Sequence, residues 1–348
     1  MLVERFFIYT TMRRQYAIVT CLILLTSCHH APQPISFNGE AQGSYYSIRY
    51  YDDAHRDLQH SVDSILDDFD QTASLWVEQS MIRRINSNTD SLINPVFADL
   101  LLKSLAINQY SEGAFDCRIG KLVQAWGFSF KQREPLDDHK IDSLLALSRG
   151  NIAIDTNENG ELYIRKENPQ TEIDFNAIAQ GYASDIVAAY LESQGISSYL
   201  VDIGGEVVAH GTKANGDPWI VGVERPAENK YQSPEIELAI GLQDLSIVTS
   251  GNYRKYYEKD GIKYSHTIDP ETGRPVEHSL LSVSVIDSSA WRADAMATAF
   301  MVMGLEKAKA FIESHPNDMP TQAVLFIYND TDGYKTYATP QFKKMITE

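Results

Sequence analysis

The stretch from Glu172 to Gly211 constrains the fold of this chain more than any other part of the sequence. It reads EIDFNAIAQGYASDIVAAYLESQGISSYLVDIGGEVVAHG, which predicts a short strand, a helix starting near Ala177, a second strand and a glycine turn. Asn176 is a residue type that caps helices, and Gly195 is placed to end this helix in the left-handed conformation. Three apolar residues recur every fourth position and predict the buried helix face: Tyr182, Ile186 and Tyr190.

Two features of this stretch are typical of a ligand site. The start of the helix is rich in small residues, so its free N–H groups and dipole are open to an anion such as a phosphate. Asp174 would repel that anion unless it binds a hydroxyl, a ring N–H or a metal. The second strand ends in Gly204 and Gly205, where no side chain blocks a ligand. The same pattern also fits an ordinary βαβ-like unit with a glycine hairpin.

The charge of the chain excludes one class of partner. The 348 residues carry a formal net charge of −17, and the basic footprint of a nucleic-acid-binding protein is missing. We therefore expect no nucleic acid among its ligands.

The N-terminus is typical of a lipoprotein signal peptide. Arg13 and Arg14 precede the apolar run 16–25, and Leu-Thr-Ser then leads into Cys28. We therefore predict a signal over 1–27, a lipidated Cys28, a tether over 28–37 and one domain over 38–345. The protein would then be anchored to a membrane and face the extracytoplasmic (periplasmic) side. A plain N-terminal membrane anchor is the alternative, and translation can begin at Met1 or Met12.

The rest of the chain predicts a mixed α and β structure with long antiparallel stretches and no clear linker. Asn94 followed by Pro95 predicts a helix start. A helix over 290–303 is closed by Gly304, and a further helix follows over 306–314.

A few residues outside the central stretch suggest chemistry. Asp294 and Thr298 lie four residues apart on one face of a helix, and oxygen ligands of this kind suit Mg²⁺. A surface Asp that serves the helix dipole is the alternative. His266 is either a catalytic base or a structural residue at a strand end. Thr249, with Ser250 and Gly251, either binds a phosphate or turns a strand.

Several short motifs follow one another along the chain: GSYYSI at 43–48, SEGAFD at 111–116, WGF at 126–128, DFNAIAQGYASD at 174–185, VDIGGEVVAHG at 201–211, TSGNY at 249–253, HTIDPETGRP at 266–275 and ADAMATAFMVMG at 293–304. Taken together and in this order, these motifs resemble those of the ApbE-type FAD:protein FMN transferases. The resemblance covers about residues 38–340.

The resemblance implies an α+β, T-fold-like architecture of mixed sheets and packed helices, with an FAD cleft. It implies Mg²⁺-dependent transfer of FMN from FAD to a Thr or Ser hydroxyl of an exported or membrane flavoprotein, with release of AMP. Asp294, Thr298 and the Ala177 carbonyl match the metal ligands, and His266 matches the histidine that assists the acceptor hydroxyl; His266 and Asp294 are the predicted catalytic residues. The positions that match FAD-binding residues are Trp76, Phe115, Asp116, Asp174, Gln180 and Ile268, to which the residues themselves add Gly204, Gly205 and Thr249.

The chain departs from the family pattern at two of its positions. Gln42, Gly43 and Ser44 stand where the family commonly has Met-Gly-Thr, which weakens an apolar flavin contact at Gln42 but keeps the hydroxyl at Ser44. Gln180 stands where Lys or Glu is frequent, so that a charged role is lost while hydrogen bonding to FAD is retained. Neither departure removes the metal site.

Two other functions use the same residues. FAD hydrolysis to FMN and AMP needs only that water replace the protein hydroxyl. A non-catalytic flavin-binding lipoprotein is the alternative from a different class, although a carrier has no need of a metal-activated leaving group.

Overall fold

An eight-stranded antiparallel sheet forms the centre of the fold, with the strand order β1-β2-β5-β6-β9-β14-β15-β16. The computed structural model describes residues 33–129, 134–226, 235–252, 256–259, 262–316, 323–331 and 333–347. The strands are β1 (Ile35–Ala41), β2 (Ser44–Tyr50), β3 (Ile152–Thr156), β4 (Leu162–Lys166), β5 (Tyr199–Ile203), β6 (Glu206–His210), β7 (Trp219–Glu224), β8 (Ile236–Leu242), β9 (Leu245–Gly251), β10 (Tyr256–Lys259), β11 (Ile262–Ser265), β12 (Ile268–Asp269), β13 (Arg274–Pro275), β14 (Leu280–Asp287), β15 (Ala323–Asp330), β16 (Gly333–Ala338) and β17 (Ile346–Thr347).

Helices cover one face of this sheet, and a three-stranded sheet of order β17-β8-β7 packs against the other. The helices are α1 (Gln59–Ala73), α2 (Met81–Asn86), α3 (Pro95–Tyr110), α4 (Gly120–Trp126), α5 (Asp138–Ser148), α6 (Ala179–Ser193), α7 (Ala290–Ser314) and α8 (Pro340–Lys343). Helix α7 contacts β9 and β14, and α6 contacts β5, β6, α1 and α7. The prediction of an α+β fold with mixed sheets and packed helices is confirmed.

Strand β15 shows why the sheet is buried on both sides. Val324 and Phe326 point into the core beneath the helices, whereas Leu325 and Ile327 point into the core beneath the small sheet. Because successive side chains of a strand face opposite sides, a nearly continuous apolar run fills both cores.

Several local predictions are confirmed. The side chain of Asn94 accepts the N–H of Phe97, with Pro95 in the first turn of α3. Gly195 follows α6 with a φ of 79°. Gly304 interrupts α7 with a φ of 73° and a ψ of 170°.

The start of α6 differs from the prediction. Residues 176–178 form a turn, the helix begins at Ala179, and the N–H of Asn176 donates to Asp174 Oδ1 at 2.8 Å. Asn176 therefore belongs to a turn closed by Asp174 and does not cap the helix. The predicted strand before it is reduced to a single bridge between Ile119 and Glu172.

The buried face of α6 also differs from the prediction. Ile186 and Tyr190 are only half-buried, and the fully enclosed positions are smaller side chains such as Ala183, Val187 and Leu191. The helix touches the sheet on one side and α1 and α7 on others. Small residues are needed where three neighbours approach, so the large-residue periodicity was a poor guide.

The folded unit begins earlier than expected and ends later. Residues from Pro34 onward form one compact unit, β1 begins at Ile35 inside the predicted tether, and β17 pairs with β8 beyond residue 345. The predicted signal and Cys28 lie outside the described residues. None of the described helices combines the length and apolar character that a bilayer crossing needs.

Candidate nucleotide and metal site

Helices α6 and α7 lie in close contact at Gly181 and Ala290. A Cβ added to Gly181 would lie 2.4 Å from the carbonyl oxygen of Ala290 and 2.8 Å from Cβ of Asp294, so only glycine fits. The Gly181 N–H donates to Asp294 Oδ2 at 3.0 Å. This contact places the carboxylate of one helix at the first turn of the other.

The same contact leaves the carbonyl of Ala177 without its helical hydrogen-bond donor. In a continuous α-helix the Gly181 N–H would donate to the carbonyl four residues earlier, that of Ala177. Because that N–H turns to Asp294, no backbone N–H of the described residues donates to the Ala177 carbonyl. The lone pairs of Ala177 are therefore available to a cation.

Asp294 is buried, with 6% of its surface exposed. Burial raises the pKa of this carboxyl to about 7, the Gly181 N–H lowers it, and the nearby Asp185 raises it further. The alternative of a surface Asp that serves the helix dipole is therefore wrong. A buried carboxyl with a raised pKa is typical of a functional site.

A hydroxyl from the sheet lies beside the third predicted metal ligand. Thr298 Oγ1 lies 3.2 Å from Ser250 Oγ at the end of β9. The hydroxyl of Thr249, a predicted nucleotide-binding residue, lies elsewhere: its Oγ1 is 2.7 Å from Ser284 Oγ on β14. Neighbouring residues of a strand face opposite sides, so Ser250 and not Thr249 faces α7.

The residues fit a magnesium ion by their chemistry. Ala177, Asp294 and Thr298 offer a carbonyl, a carboxylate and a hydroxyl oxygen, which is the hard donor set that Mg²⁺ takes, with water or phosphate filling its remaining positions. The open carbonyl and the buried carboxylate are the observations that support this fit. The described residues contain no cluster of three His, Cys, Asp or Glu side chains, so a metal here depends on the non-carboxylate oxygens.

Several predicted nucleotide-binding residues meet at the β5–β6 turn. Gly204 has a φ of 68°, and a Cβ there would lie 2.5 Å from Gln180 Nε2 and 3.3 Å from Ser44 Oγ. Gly205 has a φ of 108°, with open space where a Cβ would be. Its N–H donates to Asp202 Oδ1 at 2.9 Å. The fold thus gathers Ser44, Gln180 and both glycines at one place next to α6.

Two predicted residues carry buried polar atoms that no described residue pairs with. Gln42 sits in the β1–β2 turn with a φ of 53°, and neither its Nε2 nor its Oε1 has a partner. Asp174 is 7% exposed, and its Oδ2 is also without a partner. Burial raises the pKa of Asp174 to about 6, and the Asn176 N–H lowers it. Such atoms are costly unless a ligand satisfies them.

Other predicted residues lie in structural positions. Phe115 and Ile268 are only 2% and 4% exposed, and their side chains pack in two different apolar cores. Asp116 accepts two bonds from the Arg118 guanidinium, at 2.9 and 2.8 Å. These contacts hold the three side chains in place, and their role in binding FAD stays a prediction.

Two predicted residues lie near the surface. Trp76 is 59% exposed, which leaves its ring available for stacking. His266 is half-buried between β11 and β12, and its ring packs edge-on against Phe128 at 6.4 Å between centroids. The next residue, Thr267, donates its hydroxyl to Asn252 Oδ1 at 2.8 Å, which holds the loop that carries the histidine.

Asp185 is a residue of this interface that the sequence did not predict. Its carboxylate accepts the N–H groups of Ala290 at 3.0 Å and Trp291 at 2.9 Å, at the start of α7. The only signal was its spacing of four residues from Gly181. No local pattern reveals a helix cap whose acceptor is more than a hundred residues away.

Comparisons with known proteins show which family the chain belongs to. A model of the ApbE family matches residues 42–323. The FAD:protein FMN transferase of Vibrio cholerae serotype O1 is 33% identical over 347 residues, 97% of this chain and 100% of the relative. That of Escherichia coli K12 is also 33% identical, over 95% of this chain and 96% of the relative. The solved structure of the flavin transferase ApbE from Vibrio cholerae aligns with a TM-score of 0.76 at 34% identity, covering 90% of this chain and 99% of that one. The resemblance predicted from the sequence is confirmed, and the chain belongs to the ApbE family.

Proposed function

We propose that this chain is an FAD:protein FMN transferase that uses Mg²⁺ and modifies a Thr or Ser hydroxyl of a target flavoprotein. The transferase activity is supported by relatives of that name that align over nearly the whole chain. The observation that carries the metal-dependent form is that the buried Asp294 carboxylate takes the Gly181 N–H and so leaves the Ala177 carbonyl open.

The reaction exchanges the phosphoanhydride bond of FAD for a phosphoester bond to the acceptor. The acceptor hydroxyl oxygen attacks the phosphorus of the FMN half of FAD, and a new P–O bond forms. The bond from that phosphorus to the bridging oxygen breaks, and AMP leaves with the electron pair. Such transfers depend on positioning and charge neutralisation more than on covalent help from the enzyme.

The metal would be held by Asp294, Thr298 and the Ala177 carbonyl. When bound, Mg²⁺ neutralises charge on the pyrophosphate and makes AMP a better leaving group. Asp294 is ionised in the presence of a cation, since a nearby positive charge favours the carboxylate form.

The nucleotide would lie against the turns around Gly204 and Gly205. The open space at Gly205 admits a ligand, and Gln180 and Ser44 offer an amide and a hydroxyl beside it. The unpartnered Oδ2 of Asp174 would accept a hydroxyl or ring N–H of FAD. The exposed ring of Trp76 would stack on an aromatic part of the nucleotide.

His266 would accept the proton of the acceptor hydroxyl. Its position on a half-buried loop leaves it reachable by a protein substrate. A histidine is suited to this step because its ordinary pKa lies near neutral pH.

The acceptor would be an exported or membrane flavoprotein that carries an FMN-binding Thr or Ser motif. The support is the N-terminal sequence, in which two arginines and a short apolar run precede Cys28. Lipid on that cysteine would hold the enzyme on the periplasmic side of a membrane.

Mass spectrometry tests the proposal. The purified protein is incubated with FAD, Mg²⁺ and an FMN-binding acceptor domain. A covalent gain of one FMN on a Thr or Ser, with AMP released, is expected. AMP and free FMN with an unmodified acceptor would indicate an FAD hydrolase, and intact bound FAD would indicate a carrier.

A further inference from the structure

Helix α7 is capped by a residue of α6 and not by its own N-terminal serine. Ser289 occupies the N-cap position, but its side chain makes no capping hydrogen bond. The first N–H groups of the helix, from Ala290 and Trp291, both donate to the carboxylate of Asp185. Serine is among the preferred capping residues, so a local cap was available.

The cap is one half of a reciprocal pair of bonds. Gly181 of α6 donates its N–H to Asp294 of α7, and Ala290 of α7 donates its N–H to Asp185 of α6. Residues four apart lie on one face of a helix, so both bonds lie in the same interface. The absent Cβ of Gly181 lets the two backbones approach closely enough for both bonds to form.

The capping carboxylate stands in an electrostatically unfavourable place. Burial raises the pKa of Asp185 to about 6, the two N–H groups lower it, Asp287 raises it and Lys103 lowers it. The Asp294 carboxylate accepts the Gly181 N–H in the same α6–α7 interface. A cap by Ser289 would bond the N–H of Trp291 or Arg292 and would place no second carboxylate in this interface. Helix capping alone is therefore a weak reason for this arrangement.

We propose that Asp185 is a positioning residue for the metal site. Its two bonds fix α7 along and around its axis relative to α6, so that Asp294 meets the carbonyl that Gly181 leaves open at Ala177. This inference rests on the proposed function. It adds to that function a residue that contacts neither substrate nor metal.

A magnesium ion tolerates little change in the positions of its ligands. Mg²⁺ demands near-ideal octahedral geometry with ligands at about 2.1 Å, whereas one helix residue advances the axis by about 1.5 Å. A slide of α7 by a fraction of one residue would separate Asp294 from Ala177 beyond what the ion tolerates. Loss of the cap should therefore weaken metal binding more than it weakens the fold.

Calorimetric titration of Mg²⁺ into the mature full-length chain with FAD bound is the test, and Mn²⁺ paramagnetic resonance gives a second reading. In Asp185→Ala the Kd for Mg²⁺ should rise by about tenfold or more, as happens when residues that orient metal ligands are removed. The Mg²⁺ concentration for half-maximal FMN transfer should rise in parallel, and excess Mg²⁺ should restore part of the rate. Asp185→Asn keeps one oxygen acceptor and should shift the Kd less.

A matched control separates positioning from capping. Asp137 caps α5 by accepting the Lys140 N–H at 2.8 Å, away from the α6–α7 interface. Asp137→Ala should lower the Tm and leave the Mg²⁺ Kd unchanged. Gly181→Ala should raise the Kd, because its Cβ would collide with the Ala290 carbonyl.

Two outcomes would overturn the inference by itself. One is a folded Asp185→Ala protein with the wild-type Kd, and the other is an equal shift in Asp137→Ala. If Asp185→Ala does not fold, Asp185→Asn decides, and an unchanged Kd there also overturns it. A wild-type protein that transfers FMN without binding Mg²⁺ would instead overturn the metal part of the proposed function, and this inference with it.

Discussion

The floor of the candidate site and its rim are built on different principles. The floor is the α6–α7 contact, where Gly181 leaves no room for a side chain and Asp294 is 6% exposed. We use the word rim for the two predicted site residues that reach the surface, Trp76, which is 59% exposed, and the half-buried His266. Burying a carboxylate costs stability, whereas an exposed ring costs little. Function and stability therefore oppose each other in the floor and are nearly independent at the rim.

Asp294→Asn should have the largest effect, and it should lower the activity while it raises the stability. The amide keeps an oxygen acceptor for Gly181 but loses the charge that holds a cation, so FMN transfer should fall by about 10³-fold or more. The metal-free protein should become more stable by roughly 1–3 kcal/mol at pH 8, because an ionised buried carboxylate is removed. Kinetics and urea unfolding measure both changes. A less stable variant would contradict the contrast between floor and rim.

His266→Ala should have the next largest effect, confined to function. Loss of a general base lowers the rate of transfer by about 10²-fold or more, and a half-buried loop residue changes stability by only about 0.5 kcal/mol. FAD affinity should stay at the wild-type value, measured by flavin fluorescence. A large fall in Tm or in FAD affinity would place this histidine in a structural role.

The stability of the metal-free protein should depend on pH through three buried carboxyls, two of them in the floor. Burial raises the pKa of Asp174 and of Asp185 to about 6 and that of Asp294 to about 7, from 3.8. The folded state therefore binds more protons than the unfolded state between about pH 4 and pH 7, and its stability falls as the pH rises through that window. Urea unfolding at pH 5 and pH 8 checks this. Saturating Mg²⁺ should reduce the loss, and Asp294→Asn should flatten the curve.

Gln42→Met should have the smallest effect. Gln42 lies in a turn, as a rim residue would, but carries buried polar atoms, as a floor residue would. The amide lies in a turn, yet neither of its polar atoms has a partner among the described residues. Methionine has no amide group that needs hydrogen-bond partners, so it should stabilise the FAD-free protein by about 1 kcal/mol. FAD affinity, measured by the same fluorescence titration, should then fall if the amide bonds the nucleotide. Unchanged stability and affinity would show that water already satisfies the amide.

Much of the fold was predictable because its determinants are local. Asn94 with Pro95 starts α3, Gly195 ends α6, and Gly304 interrupts α7, each by a backbone preference of the residue itself. The order of the motifs along the chain also predicted the family. The shared face of Asp294 and Thr298 was predictable as well, because it needs only helical spacing.

The environment of the site residues was not predictable in the same way. The sequence allowed Asp294 to be a surface carboxylate. In the structure it is buried and accepts a hydrogen bond from Gly181 of α6. Phe115 and Ile268 pack in cores, and Thr249 turns to Ser284 while Ser250 faces Thr298. Which face of a strand meets a helix depends on sheet order, which residue types do not encode.

The sequence by itself thus determined the family and the α+β class, because short-range spacing and backbone preference are written into consecutive residues. Only the tertiary structure decided that Gly181 frees the Ala177 carbonyl and that Asp185 caps α7. The physical reason is that burial and hydrogen-bond partners are set by contacts between segments more than a hundred residues apart, where no periodicity of the chain can record them.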